Sequence, residues 1–334
     1  MKKTRTALFF AAVFAASALF FSACAREVNT SENAVQIYMP DGAPALALAQ
    51  YMSEGGEDAE YHVVDASTIQ TYVTGNSPAA DLCILPLNLA SKLLGTGEVY
   101  KMLGTVTHGN IYMLSEDAET QYTADNLSAL VGKTVGVVQL PNVPGLTLKV
   151  VLNENEIPWQ ELTGDEAAAS DKVNLKAVTP AQVIPETGYD CYVMPEPAAS
   201  VKVNNASFEF VGDLQELYGG ENGYPQAVLV AKSAFVAENA EWVSDFLSGL
   251  DDAAQWLFEA DAATIVNAVS AHLTEGLTPQ LSTANLSRTA IEHSGVWFTG
   301  AAEGREEVNA FLDKLIAVSE TAASKVSDAF YYQP

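Results

Sequence analysis

Positive charge is scarce in this chain. Lysine and arginine total 16 against 42 aspartates and glutamates, a net charge of -26 over 334 residues. That balance argues against nucleic acid or an anionic membrane surface as partner and otherwise favours solubility. Arginine is scarcer still. Beyond Arg5 it occurs at Arg26, Arg288 and Arg305, so an anion site would find few side-chain cations. Cysteine is limited to Cys24, Cys83 and Cys191. The last two sit in apolar strand-like runs without CxxC spacing, which leaves metal and redox chemistry unsupported. Two separate buried thiols are expected, with a disulfide between them as the alternative. The sequence also lacks G-x-S-x-G, H-E-x-x-H, Walker A and G-x-G-x-x-G motifs. His62, His108, His272 and His293 are scattered and form no triad order. With so many carboxylates, a close pair is no sign of a glycosidase. No catalytic residue, cofactor or metal is expected.

One long apolar run is present, at the start. In MKKTRTALFFAAVFAASALFFSACA, Lys2, Lys3 and Arg5 precede an apolar stretch from Ala7 to Phe21, and small residues lead to Cys24. This reads as an export signal. FSAC resembles the lipobox of bacterial lipoproteins, with Phe21 where leucine is usual. The resemblance implies a signal peptide over 1–23 and lipidation of Cys24; a plain signal peptide or a short anchor is the alternative. AREVNTSEN then reads as a polar tether ending at residue 33, and the mature chain is expected outside the cytoplasmic membrane. No later run is long enough to span a bilayer.

From residue 34 strands and helices alternate. VQIYM, AEYHVVD and ADLCILP read as strands. ALALAQYMSE, STIQTYVTG and NLASKLLGTG read as helices, the last two stopped by glycine. YKMLGTVTHGNIYMLS reads as one or two strands. The series then restarts: TVGVVQL, VNLKAVT, YDCYVMP and SFEFVGD as strands, VPGLTLKVVLNEN, TPAQVIPET and PAASVKVN as helices. GYPQAVLVAKSAF looks like an extended return segment. From Asn239 onward the pattern is mostly helical, and EWVSDFLSGLDDAAQWLFEA is the strongest amphipathic stretch. A β-α-β-α-β series implies a mostly parallel sheet covered by helices.

The restart is also a sequence repeat. At an offset of 100, VQIYMPDGAPALAL lies over VGVVQLPNVPGLTL without a gap. At an offset of 109, DLCILPLNLAS lies over DCYVMPEPAAS. Two matches in the same order with nearly one offset imply two similar α/β lobes.

Four strand-to-helix turns stand out: PDGAP, PLNLAS, PNVPG and PEPAAS. In open parallel sheets, ligands bind outside the carboxyl ends of the strands, where these turns lie. Each helix start offers unpaired N–H groups and a partial positive charge. Two facing lobes would aim several such starts into one cleft, able to hold an anion or polar head without arginine. Proline suits the first helical turn and stiffens it. Gly42 and Gly145 let a ligand approach the backbone. Asp41 suits either helix capping or ligand contact. Glu196 either faces a cationic ligand group or lies on the surface. Asn88 and Asn142 offer donor and acceptor together. His108 and Asn110 sit near the crossover between lobes, as cleft residues or plain strand residues. Tyr224, before Pro225 at the return crossing, could stack on a flat ligand.

VQIYMPDGAPALALA, ADLCILPLNLASKLL, LVGKTVGVVQLPNVPG, YDCYVMPEPAAS and GYPQAVLVAKSAF, in that order after a lipobox, resemble the solute-binding lipoproteins of ABC importers. The nitrate, sulfonate and thiamine-precursor group is the most similar. The resemblance extends to about residue 320. It implies a type II periplasmic-binding fold: two α/β lobes around a ligand cleft, joined by two crossover strands. Lobe one would be 34–113 plus 226–334, and lobe two 114–225. It implies a monomer that captures a small-molecule solute, closes on it and delivers it to a membrane permease with its ATPase. By motif position, Gly42, Ala43 and Asn88 would line lobe one, and Asn142, Val143 and Glu196 lobe two. The full candidate ligand-binding set is Asp41, Gly42, Ala43, Leu87, Asn88, His108, Asn110, Asn142, Val143, Glu196 and Tyr224. Scarce arginine sets a neutral or weakly basic heterocycle beside nitrate or sulfonate as ligand. The alternatives are an enzyme on the same fold, of the menaquinone or thiamine-pyrimidine biosynthesis type, and a solute-binding partner of a membrane sensor.

Overall fold

A computed structural model describes residues 34–56, 58–164, 166–205, 207–220 and 223–334. The expected signal, Cys24 and the tether lie outside the described residues. Twelve strands are present among those described. In the first half they are β1 (Val35–Pro40), β2 (Ala59–Val64), β3 (Leu82–Pro86), β4 (Tyr100–Thr107), β5 (Ile111–Ser115) and β6 (Thr134–Val138). In the second they are β7 (Trp159–Glu161), β8 (Val173–Val178), β9 (Cys191–Pro195), β10 (Glu209–Asp213), β11 (Ala227–Lys232) and β12 (Val296–Gly300).

They form two six-stranded sheets. Sheet one has the order β12-β4-β11-β3-β1-β2 and sheet two β10-β5-β9-β6-β8-β7. Within sheet one, β2, β1 and β3 are parallel, while β11 runs antiparallel between β3 and β4. Within sheet two, β7, β8, β6 and β9 are parallel, and β5 runs antiparallel between β9 and β10. Both sheets are thus mixed. The central parallel strands LCILP and CYVMP are buried almost throughout, as strands covered on both faces must be.

Strands β2-β1-β3-β11-β4 and β8-β6-β9-β5-β10 have one topology. The sequence repeat lands on equivalent strands: β1 on β6, and β3 on β9. Each sheet takes one antiparallel strand from across the molecule. The chain leaves sheet one through 108–110 and enters sheet two at β5. It returns at β11, and the Gln226 N–H donates to the Thr107 carbonyl at 2.9 Å, so the outgoing and returning segments lie side by side.

The two sheets share one packed apolar cluster. Helix Val143–Glu154 is buried on nearly every side and packs against the late helix Arg305–Val318. Phe311 of the latter is fully buried and stacks on Tyr224 at 5.1 Å. One apolar cluster includes Leu85 of β3 and Val137 of β6. Cys83 and Cys191 are buried, free and in different sheets, so no disulfide joins them.

Four details depart from the sequence pattern. ALALAQYMSE is broken into Ala43–Leu46 and Ala49–Glu54. Leu46 and Leu48 are both fully buried, and positions two apart do not share a face of one continuous helix. The return segment stops being extended at Lys232, and Ser233–Glu238 is helical. β7 was not expected because three residues carry no alternation signal. β12 interrupts the helical C-terminal region. It pairs with β4 through an irregular register and buries only Val296 among its five residues, which leaves a weak period. Among the described residues no helix is long and apolar enough to cross a membrane.

Candidate functional site

β1 ends at Pro40, and the chain then turns on Gly42, whose φ of 103° and ψ of −145° exclude ordinary side chains. Asp41 supports that turn. Its Oδ1 accepts the Gly42 N–H at 2.8 Å and its Oδ2 accepts the Gln280 N–H at 2.7 Å. This side chain is buried, and loss of water raises its pKa, opposed by the Gln280 and Gly42 N–H groups. Asp41 therefore neither caps the following helix in the usual way nor sits free: it pins the segment around Gln280 to the end of β1.

The counterpart in sheet two follows β6. Gln139 has a left-handed φ of 57°, and its carbonyl accepts the Asn142 N–H at 2.9 Å. Asn142 is the N-cap of helix Val143–Glu154, but its side chain makes no capping bond. Gly145 is required by packing. A β-carbon there would lie 2.1 Å from the Leu140 carbonyl oxygen, so its role is close approach of chain to chain, not to ligand.

After β9 comes Glu196. Its carboxylate accepts the Ser200 hydroxyl at 2.7 Å and the Ser200 N–H at 2.9 Å. It thereby satisfies the start of helix Ala198–Asn205. Its backbone is tied to the crossover: Glu196 N–H donates to the Asn110 carbonyl at 2.9 Å, and Asn110 Nδ2 lies 3.5 Å from the Glu196 carbonyl. Gln226 Nε2 donates to Asn110 Oδ1 at 2.7 Å. From the sheet-one side, His293 Nδ1 comes within 3.7 Å of Glu196 Oε1 and its ring stacks on Tyr112 at 4.7 Å. The Glu196 carboxylate raises the His293 pKa, against desolvation, which lowers it.

These turns enclose a cavity of about 80 Å³ between the two sheets. It is bounded by the ends of β1 and β3 on one side and of β6 and β9 on the other. Asp41, Gly42, Ala43, Asn110, Asn142, Val143 and Glu196 all line it. Much of the remaining wall is proline: Pro40, Pro44, Pro86, Pro144 and Pro195. No lysine or arginine is among the described lining residues.

Four expected residues lie outside the cavity. Leu87 is fully buried in the apolar core. Asn88 is buried beneath the C-terminal segment, its Nδ2 3.5 Å from the Ala322 carbonyl. His108 lies flat on Trp297 at 3.9 Å, and burial lowers its pKa to about 3. Tyr224 is fully buried on Phe311 and donates its hydroxyl hydrogen to Gln215 Oε1 at 3.0 Å. Gln139, Gln226 and Gln280 line the cavity without having been expected. Gln139 directly follows an apolar strand and Gln226 opens the returning one, so position alone could have marked both. Gln280 has no local signal, being 239 residues from Asp41.

The expectation of several bare helix starts also needs correction. Gly42 N–H is taken by Asp41, Ser200 N–H by Glu196, and Leu87 N–H by the Gln226 carbonyl at 2.9 Å. The starts at PDGAP, PLNLAS and PNVPG nevertheless have no side-chain cap.

No protein-family model matches the sequence, and no curated protein matches it. Solved structures do. An ABC transporter structure from Parabacteroides distasonis superposes with a TM-score of 0.68 at 16% identity, covering 90% of this chain and 99% of that one. The periplasmic aliphatic sulphonate binding protein SsuA from Escherichia coli gives 0.65 at 13% identity, with 91% and 93% covered. The periplasmic nitrate-binding protein NrtA from Synechocystis PCC 6803 gives 0.56 at 12% identity, with 87% and 84% covered. At these identities the likeness is one of fold, and it agrees with the two related sheets described above.

Proposed function

We propose that this chain is the extracytoplasmic solute-binding component of an ABC importer. It captures a small organic solute in the cavity between its two sheets and presents the closed complex to a membrane permease. The observation that carries this reading is the placement of the cavity. Equivalent strand ends of two topologically matched sheets meet there, and the sheets are joined by two adjacent crossing segments that can act as a hinge. The expected boundary at 113 falls inside β5, a strand of sheet two, so lobe one is 34–110 plus 226–334 and lobe two 111–225. Asp41, Gly42, Ala43 and Asn110 contact the solute from one side and the hinge, and Asn142, Val143 and Glu196 from the other. Cys24 carries the lipid anchor, the chain acts as a monomer, and no reaction is catalysed. Three solved structures with this fold support the reading: a sulphonate-binding protein, a nitrate-binding protein and the ligand-binding component of an ABC-type import system from Staphylococcus aureus.

A thermal-shift screen of small metabolites, followed by calorimetry, tests it. One class of solute should raise the melting temperature with one site per chain. Turnover of a substrate with no saturable binding would overturn the proposal. Cell fractionation tests the anchor: the protein should sediment with membranes and become soluble on Cys24→Ser.

A further inference from the structure

We infer that the ligand of this cleft carries an N–H donor on a small, largely apolar body and bears no negative charge: an amine or amino-substituted ring, not an oxyanion. This rests on the proposed binding role and names the solute class. Three observations carry it. The first is charge. Asp41 and Glu196 are the ionisable groups among the described lining residues, both are acidic, and the nearby base His293, 3.7 Å from Glu196, is not among those lining residues. An oxyanion would enter beside two carboxylates in a poorly hydrated site, where like charges repel strongly.

The second is the state of the helix starts. A helix N-terminus binds an anion through its unpaired N–H groups. Here the protein's own groups hold one N–H at each of three turns: Asp41 on Gly42, Glu196 on Ser200, and the Gln226 carbonyl on Leu87, while the start at Asn142 has no side-chain cap. An anion at those three N–H groups would have to displace them.

The third is an unmet acceptor. The Glu196 carbonyl can only accept, so Asn110 turns Nδ2 towards it and Oδ1 towards Gln226. Gln226 must then donate through Nε2, which fixes its Oε1 as an acceptor. That oxygen is buried, has no partner, and belongs to a residue lining the cavity. A buried acceptor without a donor is costly, and a ligand N–H would satisfy it. The proline walls and the 80 Å³ of space suit an apolar body of few atoms.

Matched pairs test this on the full-length protein after unfolding and refolding to release carried molecules. The probes are n-propylamine against propane-1-sulfonate, 2-aminopyridine against pyridine-2-carboxylate, and nitrate. At least one amino probe should raise the melting temperature in a saturable way while its anionic partner does not. Gln226→Leu should weaken that binding at least tenfold; its melting temperature without probe reports whether it folds. Tighter binding of the anions, or amino-probe binding indifferent to Gln226→Leu in a folded protein, overturns the inference. So does silence from every probe. The binding role itself is judged separately, by whether the protein carries any small molecule when purified from cells.

Discussion

The turns after β3 and β9 begin from nearly the same sequence and end in opposite places. PLNLAS and PEPAAS both leave an apolar strand at a proline and open a helix of eight residues. After β9, Glu196 reaches the cavity wall. After β3, the equivalent Leu87 is core, and the C-terminal segment covers the turn: Ser324 N–H donates to Ser91 Oγ at 3.1 Å beside the Asn88 contact with Ala322. One copy puts its side chain on the cavity wall and the other packs it into the core. The turns differ in Leu87 against Glu196, and the cover over the first comes from residues more than 230 positions away.

The comparison can be broken most strongly at Leu87. Leu87→Ala should lower the unfolding free energy by about 2–5 kcal/mol, the usual cost of a core cavity, and leave ligand affinity unchanged. Glu196→Ala should weaken binding as well as remove a helix cap worth about 1 kcal/mol. Denaturant titration and calorimetry on both would read this; a nearly neutral Leu87→Ala that abolishes binding would reverse the assignment.

The next effect is one of pH. His108 has a folded pKa of about 3 against 6.5 as its ordinary value. Between those values the unfolded chain binds more protons, so stability falls as pH drops from 6.5 towards 3, by at most about 1.4 kcal/mol per pH unit. His108→Phe keeps a ring against Trp297, and should shrink the loss between pH 6.5 and 4 by about 3 kcal/mol. An unchanged pH profile in urea denaturation would contradict this.

The paired turns after β1 and β6 give the smaller effects. Gly42→Ala should cost about 1–3 kcal/mol, because φ is 103° there, so a bulky residue at Gly42 would not report on binding alone. Asn142→Ala should cost under about 0.5 kcal/mol, since its side chain makes no cap. Equal costs would mean the two turns are not the different structures described. The last is a titration. His293, raised by Glu196, adds stability that is fully present below 6.5 and lost as pH rises through its higher folded pKa. An NMR midpoint at or below 6.5 would remove this contact between the sheet-one side and Glu196.

Much of the fold was legible because it repeats. Apolar strands followed by proline turns recur at β1, β3, β6 and β9, and the offsets of 100 and 109 join topologically equivalent strands. The antiparallel insertions β5 and β11 were legible as strands but not as members of particular sheets, since partner choice is non-local. The cavity lining was legible where the turn itself meets it, as at Gly42, Ala43, Asn142 and Val143. It was not legible where distant chain decides. Asn88 is covered from residue 322, Tyr224 is taken up by Phe311, and Gln280 arrives from a loop to hold Asp41.

Native mass spectrometry of wild-type protein beside Ala66→Trp tests the central claim most directly. Ala66 lines the cavity yet is only half-buried, so the indole plugs the space without disturbing the core. The wild type should carry one small molecule per chain, and the variant none at an unchanged melting temperature. Equal retention by both, or no bound molecule in the wild type, would contradict a solute site between these sheets.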